Sequence, residues 1–180
     1  SIKEELLQRV VEHGRGMAPG DPLNPETLTG ALVSHEQMER VLGYIELGKQ
    51  EGAVLRSGGS RVLPETGGYF VEPTVFDEVN NTMRIAREEI FGPVVALIKV
   101  DNFEEAIEVA NGTEFGLSLS MYTQDVNRAF NAINDLESGI VYVNAPTIGA
   151  EIQLPFGGTK QTGNGHREAG TTAIDQFTEW

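Results

Sequence analysis

Seven consecutive residues, Glu88 to Val94, combine side chains that can bind a ligand with a backbone that can approach one closely. Glu88 and Glu89 are adjacent carboxylates, which accept hydrogen bonds from hydroxyl groups, and Phe91 offers a flat apolar face. Gly92 lets the backbone pass close to another group, and the proline after it stiffens the start of a strongly apolar run. These residue types fit a ligand site between a loop-rich part of the chain and a more regular one.

The two glutamates could act as a catalytic acid and base only if both side chains converged on one substrate. Adjacent side chains point apart in strands and helices, so a two-glutamate catalytic pair is disfavoured. Two interpretations remain open on the residues alone. Either one glutamate binds a ligand hydroxyl while the other is solvated, or both are surface charges that precede a strand.

A second stretch, residues 155–168, is rich in glycine and could line a pocket. Its spacing does not match a Walker loop, so phosphate binding is disfavoured. Phe156 precedes two glycines and could wall an apolar pocket, and a tight surface loop is the alternative. Asn144 closes a predicted strand, where its side chain could bind a ligand or stabilise a turn.

Composition excludes several kinds of site. The 180 residues contain no cysteine, so a disulfide, a thiolate metal site and a cysteine nucleophile are all excluded within them. The histidines His13, His35 and His166 are far apart and lack a second ligand at metal spacing, so we predict no metal site. The formal net charge of −14 disfavours a nucleic-acid partner. No apolar run could span a bilayer and no secretory signal is visible, so we expect a cytoplasmic protein without a membrane partner.

The first half of the chain is predicted to hold two amphipathic helices and short strands. Capping patterns mark the helix starts at Ser1 and Ser34. Pro73 interrupts the extended run 69–76, which we therefore predict to be an edge or irregular strand. A short helical turn is expected just before Glu88.

After residue 93, apolar and amphipathic segments alternate as β-α-β-α-β, which predicts an α/β fold with a parallel-type sheet flanked by helices. Asp101 is the expected cap of the first of these helices, Thr123 or Asp125 caps the second, and a last helix is predicted over 168–177. The predicted strands are 94–100, 117–122 and 140–143. The predicted inward-facing helix residues are Phe103, Ala106, Ile107 and Ala110, then Val126, Ala129, Phe130, Ile133 and Leu136.

These motifs, taken in order over all 180 residues, resemble the aldehyde dehydrogenase superfamily. The 88–94 segment carries the resemblance most strongly. The supporting segments are Gly20-Asp21-Pro22, Pro73-Thr74-Val75, Ala110-Asn111 followed by Phe115-Gly116-Leu117, Ser138 to Asn144, and Pro155-Phe156-Gly157-Gly158 with Lys160 and Gly163.

The resemblance implies an enzyme that oxidises an aldehyde to a carboxylic acid with NAD or NADP, through a cysteine thiohemiacetal. It implies that residues 1–180 are a C-terminal segment of the catalytic domain. The dinucleotide-binding domain, the catalytic cysteine and the final oligomerisation strand would then lie outside the chain. We therefore expect no catalytic residue in this chain and no activity from the chain alone. The alternative is a non-catalytic binding or structural module with the same half-fold.

The resemblance also assigns roles to single residues. Glu89 matches the carboxylate that binds the nicotinamide ribose, and Phe91 matches the aromatic residue at the nicotinamide end of the cofactor. Phe156 matches an aromatic residue of the aldehyde pocket, and the segment 147–153 before it matches a part that sets substrate specificity. Asn144 matches a structural position. The family implies a homo-oligomer, dimer or tetramer.

Overall fold

The computed structural model describes residues 2–179 and divides into two units, Ser1–Lys99 and Val100–Trp180. The predicted capping pattern at Ser1 lies outside the described residues. No helix in the described part of the chain has the length and apolar character needed to cross a membrane.

Unit 1 is built on a three-stranded sheet with helices packed against it. Its helices are α1 (Lys3–Gly16), α2 (His35–Gln50) and α3 (Arg84–Arg87), and its strands are β1 (Val54–Ser57), β2 (Arg61–Val62), β3 (Phe70–Val71), β4 (Thr74–Val79) and β5 (Val94–Ile98). The sheet order is β1-β4-β5, with β4 antiparallel to β1 and parallel to β5. Helix α2 begins where predicted, because the Ser34 hydroxyl accepts a hydrogen bond of 3.1 Å from the backbone N–H of Gln37.

The core of unit 1 lies between α2 and β4. Met38, Val41 and Ile45 come from one face of α2 and are buried in the same cluster as Phe76 of β4. The predicted irregularity around Pro73 is present, because the extended run is split there into β3 and β4, but the prediction of an edge strand was wrong for the part that follows the proline. Strand β4 is the central strand of its sheet, since Pro73 lies just before its first residue and removes no ladder hydrogen bond from it.

A buried carboxylate joins α1 to this sheet. Asp77 of β4 accepts hydrogen bonds of 2.8 and 3.2 Å from Arg56, and the Lys3 ammonium lies 3.0 Å from its other oxygen. Burial by itself raises the pKa of Asp77, but the hydrogen bonds from Arg56 and the close Lys3 ammonium outweigh it and leave that pKa below its ordinary value. The buried charge is therefore paired on both oxygens, as a stable buried ion requires.

Unit 2 contains a parallel strand pair joined by a helix. Its helices are α4 (Phe103–Asn111) and α5 (Val126–Asp135), followed by a 3-10 helix (Thr171–Gln176), and its strands are β6 (Phe115–Gly116), β7 (Ser118–Met121), β8 (Ile140–Val143) and β9 (Thr159–Lys160). Strand β7 is parallel to β8 and β6 is antiparallel to β9. Asp125 caps α5 through the backbone N–H groups of Asn127 and Arg128, which decides between the two predicted caps.

The α/β class is confirmed, and several details differ from the prediction. The three expected strands do not share one ladder: β5 pairs with β4, while β7 pairs with β8 in a separate sheet. Helix α4 is capped by Asn102 rather than Asp101. The last helix is a 3-10 helix from Thr171 to Gln176. Strand pairing, helix caps and helix type depend on hydrogen-bond partners that the pattern of apolar residues does not specify.

Helix α5 also turns its apolar residues differently from the prediction. Val126 and Phe130 are each 64% exposed and Ile133 is 49% exposed, whereas Ala132 and Leu136 are buried. The predicted inward orientation was therefore wrong for Val126, Phe130 and Ile133. In unit 2 the buried stripe of α5 is narrow.

Candidate functional site

The Glu88 side chain is fully engaged inside unit 1. Its carboxylate accepts a 2.6 Å hydrogen bond from the Tyr44 hydroxyl and hydrogen bonds of 2.6 and 2.8 Å from the Arg84 guanidinium. The hydrogen bonds from Arg84 and then from Tyr44 lower the pKa of Glu88 to about 2. Both oxygens of this carboxylate are thus already engaged by groups of the protein. Glu88 therefore has a structural role, and the two adjacent glutamates do not converge.

Glu89 and Phe91 have the opposite environment. Both side chains are exposed, and Phe91 is 73% accessible to solvent. Within residues 2–179, no hydrogen bond or ion pair engages the Glu89 carboxylate, in contrast to Glu88. Ile90 lies between them and is buried in the core cluster. The chain thus anchors Ile90 and presents a carboxylate and an aromatic ring on either side of it.

Helix α2 holds the backbone of this segment. The Gln37 side-chain amide donates to the carbonyl oxygens of Ile90 and Phe91, at 3.0 and 2.9 Å, and Arg40 donates to the carbonyl oxygen of Glu89 at 2.7 Å. The capping pattern at Ser34 did not predict these contacts of Gln37 and Arg40. A signal was present, since Gln37, Arg40 and Tyr44 are spaced by three and four residues and so share one helix face.

Gly92 completes the segment by close packing. A Cβ atom at this position would overlap the Cγ2 atom of Val41, which is fully buried in α2. Glycine therefore lets the chain pass directly over α2 before β5 begins. The expectation that Gly92 serves a close backbone approach is confirmed, and the neighbouring group is the helix.

Phe156 lies in unit 2 on a tightly packed loop. Its backbone N–H and carbonyl each make a 2.6 Å hydrogen bond with the backbone of Glu168. The ring is half-buried and lines an open cavity of about 430 Å³ together with Gly157, His166 and Glu168. That volume lies within the range of small-ligand pockets. Phe156 therefore lines a cavity of its own unit, and the other side chains that line this cavity are mostly polar.

Asn144 has a local role. Its side chain accepts a 2.9 Å hydrogen bond from the N–H of Thr123 and donates one of 2.9 Å to the carbonyl of Thr123. Its φ of 54° is in the left-handed region that asparagine tolerates in turns. These contacts support the turn interpretation of Asn144.

In the described residues, no group of three or more histidine, aspartate or glutamate residues is placed to hold a metal ion.

Comparison with known proteins identifies the family. The model of the aldehyde dehydrogenase family matches residues 1–180. The chain belongs to this family.

Aldehyde dehydrogenases from several bacteria are similar along the whole chain. It is 46% identical over 181 residues to the alpha-ketoglutaric semialdehyde dehydrogenase of Bacillus subtilis, covering 98% of this chain and 36% of that protein. It is also 46% identical over 182 residues to a betaine aldehyde dehydrogenase of Mesorhizobium japonicum, covering 99% of this chain and 37% of that protein. The chain thus spans little more than a third of these relatives.

Solved aldehyde dehydrogenase structures share the fold. An indole-3-acetaldehyde dehydrogenase of P. syringae in complex with NAD+ and IAA is 47% identical with a TM-score of 0.95, and the match covers 99% of this chain and 36% of that one. The aldehyde dehydrogenase KauB from Pseudomonas aeruginosa is 48% identical with a TM-score of 0.95 and the same coverage. The aldehyde dehydrogenases are an oxidoreductase family with structures solved as NAD+ complexes. This agrees with the family and the class of cofactor that the sequence motifs predict.

Proposed function

We propose that the whole protein is an NAD+-dependent aldehyde dehydrogenase that oxidises an aldehyde to a carboxylic acid. The observation that carries this is the pair of exposed side chains, Glu89 and Phe91, on a segment held by α2. The family match and the NAD+ complexes of similar proteins support it. NADP remains the alternative cofactor.

Glu89 and Phe91 have the chemistry that one end of a nicotinamide nucleotide requires. An ionised carboxylate can accept hydrogen bonds from both hydroxyl groups of a ribose, and the Glu89 carboxylate is exposed and available to do so. The adjacent Phe91 ring offers an apolar face for the neighbouring ring system. When bound, the nicotinamide nucleotide supplies the acceptor for the hydride that the aldehyde carbon loses. Glu89 and Phe91 would orient that end of the cofactor.

We further propose that these residues are the C-terminal segment of the catalytic domain. The chain contains no cysteine, so the thiolate that would add to the aldehyde as a thiohemiacetal must be supplied by residues outside it. The chain alone is therefore inactive under this proposal. Sequencing the coding region upstream of Ser1 tests it, because a cysteine and a dinucleotide-binding region should be encoded there. A start codon at Ser1 would favour a non-catalytic module.

Phe156 is proposed to wall the aldehyde pocket, with the exposed segment 147–153 contributing to substrate choice. The cavity beside Phe156 supports this role.

We also propose that the whole protein is a cytoplasmic homo-oligomer, either a dimer or a tetramer. Three exposed apolar side chains of α5 are of the kind found at protein interfaces: Val126, Phe130 and Ile133. The sedimentation coefficient of the whole protein reports its assembly.

The direct test is the affinity of the whole protein for NAD+. Glu89→Gln removes the charge that strengthens the ribose hydrogen bonds, so we expect the dissociation constant for NAD+, measured by calorimetry, to rise about tenfold or more. Glu65→Gln is the matched control, because Glu65 is also an exposed glutamate of unit 1. Unchanged NAD+ affinity in Glu89→Gln would refute the assigned role of Glu89.

A further inference from the structure

The backbone of Phe91 is held on both sides by one side chain. The carbonyls of Ile90 and Phe91 belong to the two peptide groups that flank the Phe91 Cα atom, and Gln37 donates to both of them. A side-chain amide nitrogen has two N–H groups, one for each acceptor. Carbonyl oxygens only accept hydrogen bonds, so this contact also defines which end of the Gln37 amide faces the segment. The single side chain therefore constrains both backbone dihedral angles of Phe91.

Those dihedral angles need support. Phe91 has a φ of 56°, in the left-handed region that favours glycine over a residue with a bulky side chain. Such a conformation persists only where the surrounding structure over-determines it. The contacts from Gln37 supply that constraint, and the next residue, Gly92, is packed against Val41. Without Gln37, the Phe91 backbone would be expected to relax towards an extended conformation and carry its ring away.

Arg40 extends the same support by one residue. It donates to the carbonyl of Glu89, while the neighbouring Glu88 side chain is held by Tyr44 and Arg84. The Glu88 side chain is thus held by its partners and Ile90 is buried, whereas the side chain of Glu89 between them is exposed. The contacts from α2 therefore set the direction of the Glu89 carboxylate as well as that of the Phe91 ring.

We propose that Gln37 and Arg40 are positioning residues of the cofactor site, which hold the Glu89–Phe91 backbone so that carboxylate and ring are presented together. This inference rests on the proposed function of Glu89 and Phe91. The two residues act through the main chain of the segment. Their loss should therefore loosen the segment even when no cofactor is bound.

The test uses Gln37→Met in the whole protein, because methionine keeps the length of glutamine and removes both N–H donors. Without cofactor, we expect the amides that flank the segment, those of Glu88 and Val94, to exchange hydrogen about tenfold faster, because their hydrogen bonds open more easily when the two from Gln37 are lost. The dissociation constant for NAD+ should rise about fivefold to tenfold. Gln50→Met is the matched control, since it makes the same substitution near the other end of α2. It should leave both quantities unchanged.

A double variant separates positioning from direct contact. If Gln37 acts through Phe91, adding Gln37→Met to Phe91→Ala should weaken NAD+ binding by no more than about twofold beyond Phe91→Ala alone. If the double variant instead raises the dissociation constant by the product of the two single factors, the positioning role is overturned. Arg40→Lys keeps one donor and should retain more affinity than Arg40→Met. Equal losses in those two variants would also count against the inference.

Failure of the inference and failure of the proposed function are distinguishable. If Glu89→Gln weakens NAD+ binding while Gln37→Met leaves both amide exchange and affinity unchanged, only the positioning inference is overturned. If Glu89→Gln itself leaves NAD+ affinity unchanged, the proposed role of Glu89 in the cofactor site is overturned, and the cofactor role of Gln37 and Arg40 with it.

Discussion

The segment around Phe91 in unit 1 and the loop around Phe156 in unit 2 each fix an aromatic residue, but they do so through different groups. The first is held by side chains of α2 that reach its carbonyl oxygens. The second is held by main chain packed on main chain: a Cβ atom at Gly139 would overlap the carbonyl oxygen of Gly157, next to Phe156. A supporting side chain can be replaced or can rotate without moving the backbone. Backbone atoms packed against each other cannot move apart unless the chain itself shifts.

This difference has a consequence for tolerance to mutation. Replacing a supporting side chain in unit 1 removes one or two hydrogen bonds and leaves the packing in place, so its cost is moderate. Adding one methyl group at a packed glycine in unit 2 forces the backbone apart, so its cost is large. Three predictions test this contrast, in order of decreasing effect.

Gly139→Ala should have the largest effect. The new methyl group meets the carbonyl group of Gly157 and the Cα atom of Gly158, none of which can rotate away. We expect the free energy of unfolding, measured by urea denaturation, to fall by about 3 kcal/mol or more.

The matched control is Gly43→Ala in the middle of α2, where a Cβ atom has nothing within 4 Å. Alanine should raise stability there by about 0.5–1 kcal/mol, because it loses less backbone freedom on folding than glycine. A fall in stability of similar size in both variants would show that the close contact at Gly139 is not the cause.

Gly92→Ala should have an intermediate effect that can be rescued. Here the obstacle is the Val41 side chain, and we expect a loss of about 2 kcal/mol. Val41→Ala removes the obstacle. The double variant should therefore lose about 1 kcal/mol less stability than the two single variants lose together. Strict additivity in urea denaturation would show that the Gly92 contact is not with Val41. No equivalent rescue is expected for Gly139, since its neighbour is main chain.

The smallest effect concerns pH. The folded-state pKa of Glu88 is about 2, below the ordinary value of 4.5, because Arg84 and Tyr44 donate to its carboxylate. The stabilisation from these contacts is complete above pH 4.5 and is lost as the pH falls from 4.5 towards 2, since the unfolded chain takes up the proton first. Glu88→Gln should therefore reduce the slope of stability against pH in this window. An unchanged slope in urea denaturation would exclude Glu88 as a contributor.

Local patterns predicted much of the fold. Capping by Ser34 and strand β8 at 140–143 agree with the sequence, because each depends on residues a few positions apart. The pairing of β5 and the exposure of Phe130 could not be predicted in this way. Both depend on which distant element lies alongside, and an apolar run does not contain that information.

For the candidate site, the sequence by itself determined the family, the motif and the residue types, Glu89, Phe91 and Phe156, that can meet a cofactor or a substrate. Only the tertiary structure decided which of the two glutamates is free and what holds the segment. The deciding hydrogen bonds from Gln37 and Arg40 join residues 49 to 54 positions apart. Because such contacts form only when α2 packs beneath the segment, no local spacing could have specified them.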